Sequence, residues 1–270
     1  MLTGNQVDLF QAFGFLHLKQ AFDAEETAFI QREFDAAIRR SGLDPGTTDQ
    51  VSADRASVRS LRDWFLTHEL IRDIAEKLLG ERFQFEGFGC GIYGSDSPWH
   101  ADSAVIRWPF RHIKIALYLD PLDGESGALR VIPGTHRDWH WIGDPVWHDV
   151  PDYFFGLKNR DVIWQHPPFG LAPQDVPHQA LATRPGDVLV FPENLLHCAF
   201  GTKFPRRQIA IAFLQLPWRE DQVVHLKSRA AVQPAGCYQP RSLLTHPDPR
   251  VRAMVTGLQE LGFPEGGPES

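Results

Sequence analysis

Arg206-Arg207-Gln208-Ile209-Ala210-Ile211-Ala212-Phe213 reads as a β-strand whose two faces differ. Successive side chains on a strand point to opposite sides. Arg207, Ile209, Ile211 and Phe213 therefore share one face, and Arg206, Gln208, Ala210 and Ala212 share the other. The bulky face is suited to packing on a helix layer. The small-residue face leaves room for a ligand, and the same parity turns Arg206, not Arg207, toward it. Other strands are read at Ile113–Leu119, ended by Asp120-Pro121, at Leu129–Ile132, ended by Pro133-Gly134, and at Val188–Phe191.

The earlier part of the chain has helical spacing instead. Val7, Leu9, Phe10 and Phe13 mark a helix from Gln6 to Phe13, stopped by Gly14 and followed by a short strand, Phe15–Leu18. Asp23 with Glu26 three residues later forms a capping-box pattern. The helix it opens runs to about Arg40, with Phe29, Ile30, Phe34, Ala37 and Ile38 on one face. Residues 44–57 are polar and read as a loop, and a second helical pattern covers Glu69 to Leu79, ending at Gly80. Helices first and strands afterwards predict a mainly β core with flanking α-helices.

The 270 residues are read as a single domain: helical support over about 1–82, a β core over about 83–217 and a C-terminal extension over 218–270. Within the core, about 137–183 breaks the pattern, carrying Trp139, Trp141, Trp147, Phe154, Phe155, Trp164 and Phe169 without a clean period. Such an insertion serves either as a lid over a substrate or as a buttress at the barrel or a subunit interface.

The formal charge of −7 opposes broad contact with nucleic acid or an anionic membrane. No apolar run approaches the roughly 20 residues that span a bilayer, and no signal peptide is visible at the N-terminus. Cys90, Cys198 and Cys237 lie far apart with no CxxC, which fits a reducing compartment. The expected location is cytoplasmic and the expected partner is a small-molecule substrate.

Trp99-His100-Ala101-Asp102-Ser103 places a histidine and a carboxylate two residues apart, able to reach one metal ion together from a strand. HxD is common by chance, and the chain holds two more pairs, His136/Asp138 and His246/Asp248. His246-Pro247-Asp248-Pro249 reads as a surface turn, and His136 follows a turn leaving a strand. His197, about a hundred residues after His100, is alone either a core histidine or a ligand. Two imidazoles and one carboxylate leave three metal positions open, which suits non-haem Fe(II) oxygen chemistry. Arg206 would then hold the far carboxylate of an organic acid co-substrate. Arg107, Arg111 and Lys114 read as a solvated edge, with anion binding as the alternative. Trp99, Trp108 and Phe110 weakly favour an apolar or ring-containing substrate.

With these residues in order, the sequence resembles the phytanoyl-CoA dioxygenase family of Fe(II)/2-oxoglutarate oxygenases. Phe10-Gln11-Ala12-Phe13-Gly14-Phe15-Leu16 and Glu25-Glu26 resemble its N-terminal entry, and His100-Ala101-Asp102 its metal motif. Gly124 to His136, ending Val131-Ile132-Pro133-Gly134-Thr135-His136, matches its most specific signature. Gly186–Phe191, His197 and Arg206 follow in the family's order. The resemblance implies a double-stranded β-helix, a jelly-roll (cupin-like) barrel. It implies His100, Asp102 and His197 as catalytic iron ligands and Arg206 as partner of the 2-oxoglutarate distal carboxylate. It places Tyr118 beside the co-substrate or in the core. Ala199 and Phe200 stand where relatives often carry small polar groups, leaving Thr202 as a substitute co-substrate contact. Retention of Asp102 disfavours halogenation. The implied cofactors are Fe(II), 2-oxoglutarate and dioxygen. The implied reaction is hydroxylation of a small organic molecule coupled to decarboxylation of 2-oxoglutarate to succinate. Desaturation, epimerisation or cyclisation with the same cofactors is an alternative, as is a non-catalytic metal- or ligand-binding jelly-roll protein.

Overall fold

The computed structural model describes residues 1–42, 51–52, 56–102, 111–137, 170–232 and 240–263. The readings placed on Arg107, Trp108, Phe110, Asp138, Cys237, the aromatic residues from Trp139 to Phe169 and most of the 44–57 loop lie outside them.

The N-terminal part of the chain carries four helices: α1 (Gly4–Phe13), α2 (Ala24–Arg40), α3 (Arg59–Thr67) and α4 (Glu69–Leu79). The predicted box at Asp23 is present, with its carboxylate accepting from the Glu25 and Glu26 amides while Glu26 accepts from the Asp23 amide. α1 stops at Gly14, whose φ of +82° is left-handed. The sequence reading did not anticipate α3. Val58 gives it no side-chain cap, so the usual start signal is missing, yet Leu61, Phe65 and Leu66 are buried on its inner face. Beyond the barrel, the C-terminal extension forms α5 (Glu220–Val232), α6 (Arg241–Leu244) and α7 (Pro249–Glu260).

Ten strands are described: β1 (Leu16–Leu18), β2 (Val51–Ser52), β3 (Phe83–Tyr93), β4 (Ser97–His100), β5 (His112–Tyr118), β6 (Leu129–Val131), β7 (Gln179–Leu181), β8 (Val188–Phe191), β9 (His197–Ala199) and β10 (Arg206–Gln215). They form a six-stranded sheet ordered β1-β8-β5-β10-β3-β2 and a four-stranded sheet ordered β4-β9-β6-β7. The pairings are antiparallel, and the architecture is the expected jelly-roll with flanking helices. β7 pairs with β6, so the end of the aromatic stretch contributes a strand to the barrel.

The alternation in β5 and β10 decides where each sheet face goes. Ile113, Ile115, Leu117, Ile209, Ile211 and Phe213 are buried in one core with Ile30, Phe34, Leu61, Phe65 and Ile74 of the helices. Each such side chain contributes about 1.5–3 kcal/mol through burial. The opposite face meets the second sheet, where Ala116, Leu189 and Phe191 pack with Leu129, Val131 and Leu181. Ahead of a bulge at Ala212/Phe213, Gly87, Gly89 and Gly91 of β3 lie opposite Ala212, Ala210 and Gln208, so small residues make up most of this inner face.

The Pro133–His136 signature ties this barrel to α1. The Gly134 amide donates to the Phe13 carbonyl at 2.8 Å. His136 lies over Gly14 so closely that a Cβ there would sit 2.3 Å from its Nδ1. His136 is thus a packing residue. Among the described residues, no helix is long and apolar enough to cross a membrane.

Candidate metal centre

β4 and β9 lie side by side in the smaller sheet, with His100 opposite His197. Their ring centroids are 4.3 Å apart. Each imidazole is oriented by its own backbone. His100 Nδ1 is 2.7 Å from the Pro98 carbonyl oxygen, and His197 Nδ1 is 2.8 Å from that of Leu195. A carbonyl only accepts, so each Nδ1 carries the proton and each Nε2 presents a lone pair. Both Nε2 atoms face Asp102: His100 Nε2 is 3.8 Å from Oδ1, and His197 Nε2 is 3.5 Å from Oδ2. The Asp102 amide donates to the Glu193 carbonyl at 2.8 Å, which fixes the backbone beneath the carboxylate.

One donor atom from each of these residues falls within 4.8 Å of the other two. Three lone-pair donors face one another at separations beyond ordinary hydrogen bonds, an arrangement that fits a shared cation. The electrostatics agree with the donor set. Burial drives the His197 imidazole down to about 3, and His100 pushes the same way. Burial opposes ionisation of Asp102, but Lys114, His197 and His100 outweigh it and hold the carboxyl well below its ordinary range.

Arg206 begins β10 on the inner face, as its parity required, and is 5% exposed. Its Nη1 donates to the Gly127 carbonyl at 2.6 Å and its Nη2 to the Ser95 carbonyl at 2.7 Å. Those two bonds fix the plane of the guanidinium. Its buried Nε–H has no hydrogen-bond partner among the described residues, which fits a role in receiving an anion. Arg207 points the other way, donating to Asp120 at 2.8 Å and Asp35 at 3.2 Å.

Tyr118 lies opposite Gln208 on the inner face and is buried. Burial raises its phenol to about 12, against the pull of Arg206 and Lys114. Thr202 stands beside Arg206, since a Cβ on Gly127 would meet Thr202 Oγ1 at 3.0 Å and Arg206 Nη1 at 3.2 Å. Its amide donates to Asp96 at 3.0 Å. Burial pushes Asp96 up, but hydrogen bonds from Thr202 and Gly201 outweigh it.

Lys114 corrects the sequence reading. It is not on a solvated edge: its Nζ is in direct contact with Asp102 Oδ2. Parity could have found it, because Lys114, Ala116 and Tyr118 alternate with Ile113, Ile115 and Leu117. Arg111 does sit at the edge, donating to the Leu78 carbonyl at 3.1 Å. His246 and Asp248 are a helix cap, with Asp248 accepting from the Arg250 amide at the start of α7. A second cluster, Glu86, His112 and Glu193, is buried nearby. There His112 Nδ1 lies 2.9 Å from Glu86 Oε2 and 3.6 Å from Glu193 Oε2.

Residues 10–208 match the profile of the phytanoyl-CoA dioxygenase (PhyH) family. The chain belongs to the phytanoyl-CoA dioxygenase family. With that membership it is an Fe(II)/2-oxoglutarate-dependent dioxygenase. Among curated family relatives, an ectoine dioxygenase of Sphingopyxis alaskensis is 25% identical over 275 residues, covering 89% of this chain and 81% of that protein. The phytanoyl-CoA dioxygenase fold is shared with the solved non-haem α-ketoglutarate-dependent epimerase SnoN from nogalamycin biosynthesis. That likeness has a TM-score of 0.58 and 16% identity over 78% of this chain and 82% of that one. EctD from S. alaskensis with bound Fe superposes with a TM-score of 0.57 and 21% identity, over 80% and 77% of the two chains.

Proposed function

We propose that His100, Asp102 and His197 hold the iron and that Arg206 receives the distal carboxylate of 2-oxoglutarate, with hydroxylation of a small organic molecule as the reaction. The observation that carries this reading is the convergence of two Nε2 lone pairs and one carboxylate, in a barrel whose inner face also carries the buried Arg206. Iron, when bound, supplies activation of dioxygen coupled to decarboxylation of the keto acid. The chain supplies placement. Backbone carbonyls of Pro98 and Leu195 keep both imidazoles in the ligating tautomer. Asp102 contributes the one anionic ligand. Arg206, held by Gly127 and Ser95, offers its remaining N–H groups as a preset clamp for a carboxylate. Tyr118 and Phe191 wall the space on the β5–β8 side, Phe191 lying with its ring 5.0 Å from His197. Thr202 stands beside the arginine end with its amide on Asp96, and in this reading its hydroxyl is a substitute co-substrate contact.

Desaturation, epimerisation or cyclisation uses the same residues and differs in where the substrate hydrogen sits. Incubation of iron-loaded protein with 2-oxoglutarate, oxygen and metabolite pools tests the reading. Succinate should rise in a substrate-dependent manner, and product mass should increase by one oxygen. Loss of two hydrogens, or no mass change, points to the alternatives; no 2-oxoglutarate turnover at all refutes the assignment.

A further inference from the structure

Asp102 carries a second, independent contact that ligand geometry alone does not require: the ammonium of Lys114 on Oδ2. We propose that Lys114 is a positioning residue for the metal carboxylate. It engages one oxygen of Asp102 so that the side chain serves as a one-oxygen ligand and the open metal positions stay available to the co-substrate. This rests on the ligand assignment above.

The placement of Lys114 is determined by the sheet. On β5 it is opposite Phe191 of β8 and Ala212 of β10, so its stem is flanked by one large and one small side chain on the inner face. Its direction is therefore set by strand register and not by a flexible loop. Asp102 is held at its backbone, where its N–H donates a hydrogen bond to the Glu193 carbonyl, and the Glu193 carboxylate is also a charged neighbour of Lys114. The carboxylate is thus held at both its backbone and one oxygen. A carboxylate with both oxygens free can chelate a cation through the pair. In a site that must also seat a two-point keto acid, that second bond would compete with the co-substrate. A lysine tethered to one oxygen removes the competition while leaving the other oxygen available.

The test uses Co(II) as the metal probe in the full-length protein, with Lys114→Met, Lys114→Gln and Lys114→Arg compared with wild type. Co(II) visible absorption reports coordination number without turnover, and anaerobic calorimetry reports 2-oxoglutarate affinity. The methionine variant should bind Co(II) within threefold of wild type or more tightly, because a like charge has been removed. Its Co(II) spectrum should change before co-substrate is added, and its Kd for 2-oxoglutarate should rise at least tenfold. Arginine, which keeps charge and donor, should restore that Kd to within threefold. Glutamine, a neutral donor, should fall between, and it carries the test if the methionine protein does not fold. An unchanged Co(II) spectrum with unchanged 2-oxoglutarate affinity in both neutral variants overturns the proposal. So does a tenfold loss of Co(II) affinity in them, which would make Lys114 a determinant of the whole pocket. Wild-type protein that binds no Co(II) would instead overturn the ligand assignment itself.

Discussion

Replacing Arg206 by leucine separates the two neighbouring arginines into their different tasks. Arg206 is 5% exposed and faces the inter-sheet space, held there by Gly127 and Ser95. If it clamps a carboxylate, the variant loses charge-assisted hydrogen bonds of about 1.5–3 kcal/mol each. Two such bonds give about 3–6 kcal/mol, so the Kd for 2-oxoglutarate should rise by roughly two to four orders of magnitude. The carbonyls of Gly127 and Ser95 lose their donors as well, which adds a stability cost of about 1–3 kcal/mol. Arg207→Leu is the internal comparison, one residue away on the opposite face. It loses ion pairs to Asp120 and Asp35, but its side chain is 27% and theirs 20% and 44% exposed. Solvent screening limits each pair to about 1 kcal/mol or less. The melting temperature should drop by a few degrees, about 2–4 °C per kcal/mol for a chain near this size, with co-substrate affinity within threefold of wild type. Anaerobic calorimetry of metal-loaded protein with 2-oxoglutarate, beside thermal melts, makes the comparison. Equal co-substrate affinity in Arg206→Leu and wild type would refute the reasoning, as would a larger loss in Arg207→Leu.

Asp102→Ala should abolish stoichiometric Fe(II) binding in equilibrium dialysis, since it removes the one anionic group of the proposed ligand set and leaves Lys114 without its Asp102 contact. Gly127→Val should impair fold and site together. Its φ of +88° suits glycine, and the new Cβ would meet Arg206 and Thr202 at 3.2 and 3.0 Å, so both the melting temperature and 2-oxoglutarate affinity should fall. Asp187 ties β8 to the N-terminal segment by accepting from the Gln20 and Arg184 amides and from His17. Burial raises its pKa, but those bonds outweigh burial and depress it. A depressed carboxyl contributes stability above its unfolded value, near pH 4, and loses it as pH falls through the folded value. Asp187→Ala should therefore cost about 2 kcal/mol at pH 7, and denaturant midpoints of variant and wild type should converge in acid below about pH 4. Phe213→Ala, which empties a fully buried position between β10 and the helices, should cost about 3–5 kcal/mol in urea unfolding.

Strand parity proved the most informative signal in the sequence. In β10 it separated Arg206 from Arg207 because each face of a barrel strand meets a different environment, one of helices and one of the space between the sheets. The same rule applied to β5 would have picked out Lys114, but a lone lysine among aliphatics resembles a solvated edge until the opposing carboxylate is placed. The pairing of His100 with His197 was legible only through order along the family pattern. Their strands β4 and β9 are four and three residues long, too short for a period to register. α3 lacked a capping residue, and the apolar positions of the C-terminal extension, such as Leu226 and Leu258, gain meaning only when Leu214 and Leu216 are placed against them. His136 shows the converse. Its HxD spacing mimics a ligand pair, while its position over Gly14 shows a packing function that spacing cannot express.

The most direct measurement is anaerobic titration of Fe(II) and 2-oxoglutarate into the purified protein, followed by visible absorption. Wild type should develop a metal-to-keto-acid charge-transfer band at one iron per chain, and His197→Ala and Asp102→Ala should lack it. A wild-type protein with no band, or a band that persists at full strength in both variants, would contradict the assignment of iron to these three side chains.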